Sequence, residues 1–254
     1  MPVVSVNGFE MYYEIRGAGE PLLLLHGGMG VGGDWRYVFP SDPDGYRVIV
    51  PDLRGHGQST NPDKTFTFRQ CAQDALKLLA HVGVDRVNAI GMSMGAKTLL
   101  HMSTIQPAAV VAMVLVSATP YFPPSLRAAA AQFTEEAFER LPDSEREALR
   151  RRHVYGDEQI RALYAMTRSF ATSDDDMAFT PAQLAAITAR TLIVHGDRDP
   201  LYPVELALEL FRGIPHSALW VVPYGAHGPI FGAAAPHFAG VALAHLQRRP
   251  SSPA

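Results

Sequence analysis

The chain has 254 residues, 47% of them apolar, and a mean hydropathy of +0.01, which suits one large soluble domain or a domain carrying a sizeable insertion. A formal net charge of −3 and a pI near 6.4, with lysines only at Lys64, Lys77 and Lys97, leave no electrostatic case for binding nucleic acid or an anionic membrane surface. The single cysteine, Cys71, excludes an intramolecular disulfide and a cysteine-built zinc cage.

The N-terminal stretch MPVVSVNGFEMYYEIRG lacks the basic start and long apolar run of a signal peptide, and reads as two short strands around a turn at Asn7-Gly8. No apolar run approaches the ~20 residues of a membrane span, so a reducing, cytoplasmic setting is the expectation. Nearly continuous apolar runs recur at 22–25, 48–50, 87–90, 110–116, 192–194 and 219–222. Such runs predict strands buried on both faces, as in a parallel sheet. Between them, helical spacing occupies 68–82, 96–105, 203–211 and 236–246. The alternation predicts an α/β fold, a mostly parallel doubly wound sheet led by an antiparallel hairpin.

Residues 121–190 break the alternation. SLRAAAAQFTEEAFERL, DSEREALRRRHVYG and DEQIRALYAMTRSFAT read as successive helices, separated by Pro142, Gly156 and an acidic turn at 173–176. The sheet pattern resumes at Thr191, so a core is expected over 1–120 and 191–254, with a helical cap inserted at 121–190. The tail RRPSSPA is polar and proline-rich and is expected to fray.

Gly91-Met92-Ser93-Met94-Gly95 matches G-x-S-x-G, the turn that lifts a serine hydroxyl out at the carboxyl end of a strand. An isolated serine at a helix start reads more simply as an N-cap, but the apolar strand before and the helix after favour a nucleophile. A serine hydroxyl needs a base, itself oriented by a third group. Among ten histidines, His227 in PYGAHGPIFG stands just past the last predicted strand. His81, His101, His237 and His245 fall within helices, and His216 precedes the strand. The acid should follow another strand, and GDRDPLYP offers Asp197 and Asp199. Asp199, deeper in the turn, is preferred; Asp197 is read as a turn residue bonding nearby backbone N–H groups. HGGMGVGGDW follows the strand at 22–25, and its glycines free backbone N–H groups to face a ligand. The N–H of Gly28, or of Met29 as the alternate, would form an oxyanion hole with that of Met94.

With these motifs in place, the sequence resembles the α/β-hydrolase superfamily over nearly its whole length, the resemblance resting on GMSMG, the HGG turn, DLRGHGQS at 52–59, GDRDPLYP and the terminal GAHG. The order Ser93, Asp199, His227 is the one expected in that superfamily. The resemblance implies that Asp52, Arg54 and His56 are architectural, with His56 near the border of the pocket. It further implies a serine esterase or lactonase that works through an acyl-enzyme without cofactor or metal, as a monomer or homodimer. Its partner would be a small-molecule ester or lactone. A pocket beneath the cap is expected to be walled by Met29, Trp35, Met92 and Met94, and some of Phe122, Phe133, Phe138, Tyr164 and Phe170 are expected to line it. Epoxide hydrolases and haloalkane dehalogenases of this fold use an aspartate nucleophile, against which Ser93 argues. Carbon–carbon bond hydrolases, cofactor-free perhydrolases and non-catalytic small-molecule receptors are the alternatives.

Overall fold

A computed structural model describes residues 2–174 and 177–248; the proline-rich tail from 249 onward and positions 175–176 of the acidic turn lie outside the described residues. Val3–Val6 (β1) and Phe9–Gly17 (β2) pair antiparallel across Asn7 at φ 44° and Gly8 at φ 85°. Both central residues of such a two-residue turn require positive φ, which asparagine and glycine tolerate. Glu20–Leu25 (β3) and Tyr46–Pro51 (β4) lie parallel, and β2 closes the far side of β4 antiparallel. Val87–Met92 (β5), Val110–Val116 (β6), Arg190–Gly196 (β7) and Ser217–Val222 (β8) extend the parallel part. The order across the eight-stranded sheet is β1-β2-β4-β3-β5-β6-β7-β8.

Phe68–His81 (α1) follows β4, and Met94–Ile105 (α2) follows β5. Between β6 and β7 come Pro124–Ala130 (α3), Glu135–Glu139 (α4), Asp143–Arg152 (α5), Gly156–Ser169 (α6) and Pro181–Ala185 (α7). Val204–Gly213 (α8) and Ala235–Gln247 (α9) follow β7 and β8. The segment read as one helix over 125–141 is two: Thr134 accepts from the Ala137 N–H at 3.1 Å and starts α4 afresh. The sequence reading passed over α7, which Thr180 and Gln183 open with a reciprocal capping box.

Alternate residues of one strand enter different cores. Leu23 and Leu25 pack with Phe68, Leu78, Leu99 and Leu210, whereas Leu22 and Leu24 pack with Trp35, Phe238 and Leu246 on the other face. Each such leucine is fully shielded, which is worth roughly 1.5–3 kcal/mol over leaving it in water. A strand with two buried faces has no polar alternation, hence the unbroken apolar runs. Because β3, β5, β7 and β8 run parallel, their carboxyl ends open at one edge, and the loops leaving them carry Gly28, Ser93, Asp199 and His227. The loop after β4 is held from beneath. Asp52 accepts from the Gly32 and Gln58 N–H groups at 2.7 and 2.8 Å, and Arg54 forms a buried two-point ion pair with Asp74 at 3.0 Å. Among the described residues no helix is long and apolar enough to cross a membrane.

Candidate active site

Ser93 sits between β5 and α2 at φ 49°, ψ −103°, a conformation that costs an ordinary residue on the order of 1–3 kcal/mol. Packing enforces it. A Cβ at Gly91 would stand 2.5 Å from the Gly95 backbone, so strand and helix meet with no space for a side chain. The Ser93 side chain makes no capping bond to α2, which removes the N-cap reading. Its Oγ lies 2.9 Å from His227 Nε2.

His227 Nδ1 lies 2.8 Å from Asp199 Oδ2. The carboxylate can only accept there, so Nδ1 carries the proton and Nε2 offers its lone pair to the Ser93 hydroxyl. The Asp199 side chain is fully shielded from solvent, while His227 keeps a fifth of its side chain exposed (21%). Burial pushes the Asp199 carboxyl up, but the hydrogen bond and charge of His227, with the Leu201 and Tyr202 N–H groups, outweigh it and hold the carboxyl below its ordinary pKa. Those N–H groups reach Asp199 Oδ1 at 2.8 and 3.1 Å. Asp197 is exposed, and among the described residues no side-chain bond from it to the loop backbone appears; its own N–H joins the Val222 carbonyl. Ser117, at φ 50°, donates to the His227 carbonyl at 2.7 Å and fixes the histidine loop from β6. The other candidate histidines sit elsewhere: His237 packs edge-on against Trp220, His245 meets the Arg190 carbonyl, and His81 packs against Tyr13.

Gly28 and Met94 face each other, a Cβ at Gly28 falling 3.4 Å from the Met94 Cε. Met94 is the first residue of α2, where a backbone N–H has no carbonyl one turn back to bond. Met29 turns the chain at φ 56°. Two histidines hold this loop. His26 donates from Nδ1 to the Gly27 carbonyl at 2.8 Å and accepts the Leu53 N–H at 2.9 Å. His153, at the end of α5, accepts the Gly57 N–H at 3.0 Å and donates to the Met29 carbonyl at 3.3 Å. Arg152 pairs with Asp34, which also accepts from the Val31 N–H. His56 is fully buried behind this group, its ring tilted against His26 and edge-on to His153, and does not border the cavity.

A cavity of about 620 Å³ opens over Ser93 and His227. Met29, Trp35, Met92 and Met94 line it from the sheet side, and Phe133, Tyr164 and Phe170 from the insertion. Phe122 and Phe138 do not reach it: Phe122 packs on Phe68 and Phe170, and Phe138 on Tyr164 and the Arg161 guanidinium. Lining residues absent from the sequence reading include Leu126, Leu149, Tyr202, Phe231 and Lys97. The one available signal among them was Lys97, an apolar-flanked lysine one turn after Ser93. Among the described residues no cluster suited to hold a metal ion occurs.

A family model for the alpha/beta hydrolase fold matches residues 20–166, and the chain belongs to that family. Within it, the chain is 28% identical to the 2-hydroxy-6-oxo-6-(2'-aminophenyl)hexa-2,4-dienoic acid hydrolase of Metapseudomonas resinovorans, over 97% of this chain and 90% of the relative. In fold it is similar to the enol-lactonase of Burkholderia xenovorans, with a TM-score of 0.80, 20% identity and coverage of 97% of this chain and 100% of the other. It is also similar to an alpha/beta hydrolase enzyme from a Medee basin deep-sea metagenome library, with a TM-score of 0.83, 18% identity and 99% coverage of both chains.

Proposed function

We propose that the protein is a cofactor-independent serine hydrolase that cleaves a carboxylic ester or lactone in a reducing, cytoplasmic setting. The observation that carries this reading is the continuous relay from Ser93 Oγ through His227 to Asp199 at the mouth of an apolar cavity. His227 Nε2 takes the Ser93 proton as Oγ attacks the carbonyl carbon, and Asp199 stabilises the resulting imidazolium. The N–H groups of Gly28 and Met94 hold the oxyanion. Collapse of the tetrahedral intermediate expels the alcohol, protonated by His227, and leaves an acyl-enzyme. His227 then draws a proton from water, which attacks the acyl carbon, and the proton returns to Ser93 as the acid leaves. The lining by Trp35, Phe133, Phe170 and Phe231 suits an apolar acyl or ring substrate.

A second reading, hydrolysis of a carbon–carbon bond, draws support from the similarity along 97% of the chain to a dienoic acid hydrolase. The test is to assay wild-type protein and Ser93→Ala on p-nitrophenyl esters, a lactone and a 2-hydroxy-6-oxohexa-2,4-dienoate, and to map fluorophosphonate labelling. Ester or lactone turnover with labelling at Ser93, and a loss of about 10⁵-fold in Ser93→Ala, supports the leading reading. Preference for the dienoate selects the second. Stoichiometric ligand binding without turnover would make the protein a receptor.

A further inference from the structure

Lys97 follows Ser93 by one turn of α2, its backbone N–H donating to the Ser93 carbonyl at 3.0 Å. The residue is 3% exposed, and its Nζ lies among rings, 5.0 Å from the centre of Phe68, 5.8 Å from Phe122 and 5.0 Å from Tyr202. Nζ bonds the Tyr202 hydroxyl at 2.5 Å, and the Tyr202 ring packs edge-on against His227 at 5.0 Å. Lys97 lines the cavity, yet the relay from Ser93 to Asp199 does not use it.

Donor counting leaves this side chain incomplete. As an ammonium, Nζ has three N–H groups and spends one on the Tyr202 oxygen; as an amine, it has two, with the Tyr202 O–H turned to its lone pair. Two N–H groups remain in either state. Ring faces attract a cation but offer no lone pair. Asp199 acts on Lys97 through its charge, but its oxygens are engaged by His227 and by the Leu201 and Tyr202 N–H groups. Among the described residues no carboxylate bonds Nζ, and a buried cation is costly until one does. Burial accordingly lowers the Lys97 pKa to about 7, against the opposing charge of Asp199. Of the other charges on the lining, Arg152 is already paired with Asp34, and Glu145 is exposed and would repel an anion.

We infer that Lys97 is a specificity residue that binds a carboxylate on the acyl side of the substrate, so that the preferred substrate is an ester or lactone whose acyl part carries a second, free carboxylate. The inference rests on the serine-hydrolase reading and narrows its substrate class. Side chains one helical turn apart stand about 5–6 Å from each other at Cβ, which puts the anchored group a few bonds from the carbonyl that Ser93 attacks. The acyl part is the one that meets Lys97 because it stays on Ser93 at the buried end, while the alcohol departs towards solvent. The two free N–H groups match the two oxygens of a carboxylate, and the apolar lining takes the chain or ring between the two ends. Water adds across the ester bond as before, giving a dicarboxylic acid and an alcohol, and Lys97 exchanges no proton.

The test compares mono-p-nitrophenyl adipate with p-nitrophenyl hexanoate, and mono-p-nitrophenyl terephthalate with p-nitrophenyl benzoate. Each pair differs in whether the far end of the acyl group carries a carboxylate. Wild-type kcat/KM should favour the charged member of at least one pair by roughly tenfold or more. Lys97→Met should lower that charged-to-neutral ratio by a similar factor, chiefly through KM, with melting temperature recorded alongside. A wild-type preference for the neutral member of both pairs would overturn the inference, and that comparison needs no variant to fold. So would an unchanged ratio in folded Lys97→Met, the result expected if Arg152 held the carboxylate instead. Fluorophosphonate labelling separates the two levels of the argument. No labelling of Ser93 and no ester turnover would end the serine-hydrolase reading and the inference together; normal labelling without a carboxylate preference would end the inference alone.

Discussion

Gly95 lies against the carbonyl of Leu25 so closely that a Cβ on residue 95 would stand 2.2 Å from that oxygen. The contact joins α2 to β3, the strand that leads into the Gly28 loop, and so sets the spacing between Met94 and Gly28. Gly95→Ala should destabilise the fold by about 1–3 kcal/mol or more, since backbone rather than a flexible side chain must move. In whatever folds, kcat should fall further than the population of folded protein. Denaturant midpoints with kcat on a p-nitrophenyl ester check this; wild-type values for both would show that the sheet and helix separate without consequence.

Asp199 and Asp197 stand two residues apart with opposite surroundings. Asp199→Asn keeps the shape but presents an amide to His227, favouring the wrong imidazole tautomer, and should cost on the order of 10⁴ in kcat. Asp197→Asn, at an exposed position, should leave kcat within a factor of a few. Reversed penalties in a side-by-side kinetic comparison would move the acid to Asp197.

Aromatic residues of the insertion divide into two sets. Phe133, Tyr164 and Phe170 face the cavity, whereas Phe122 and Phe138 pack behind it. Alanine at the first three should shift preference among acyl chain lengths, each methylene being worth roughly 1–3 kcal/mol. Alanine at Phe138 should cost about 3–5 kcal/mol of stability and leave the chain-length ratio unchanged. Short and long p-nitrophenyl esters, assayed beside melting temperature, separate the outcomes.

Burial pushes His26 and His153 down to about 4, and each accepts a backbone N–H that a protonated ring would repel. In the unfolded chain both return to about 6.5. The folded pKa is the lower one, so their contribution is complete above about pH 6.5 and is lost as pH falls towards 4, by up to roughly 3 kcal/mol for each. His153→Gln should flatten the loss of stability between about pH 7 and about pH 4. Denaturant midpoints with the same pH dependence in both proteins would refute this.

The fold was legible where burial is two-sided. The run VVAMVLV is read to the residue as β6, and GMSMG announces its own turn because the constraint there is local. Strand ends were less legible: Glu20 and Arg190 belong to β3 and β7 through backbone pairing, which polar side chains do not reveal. Asp199 and His227 were legible from their place after strands. His153 was not, because it meets Met29 across 124 positions of chain through tertiary packing alone. Nor could periodicity decide which aromatic residues of the insertion face the cavity, since α6 is covered on several sides by α3, α4 and α5.

Arg152 and His153 are neighbours at the end of α5, and between them they grip Asp34, Met29 and Gly57. The insertion is therefore no interchangeable module. A chimera that imports a foreign stretch across 121–190 would remodel the cavity and, in the same stroke, cut the ties that keep the Gly28 loop in register. Selectivity in this scaffold can drift residue by residue at positions such as Leu126, Phe133 and Leu149, whereas wholesale recombination must preserve the seam at 152–153.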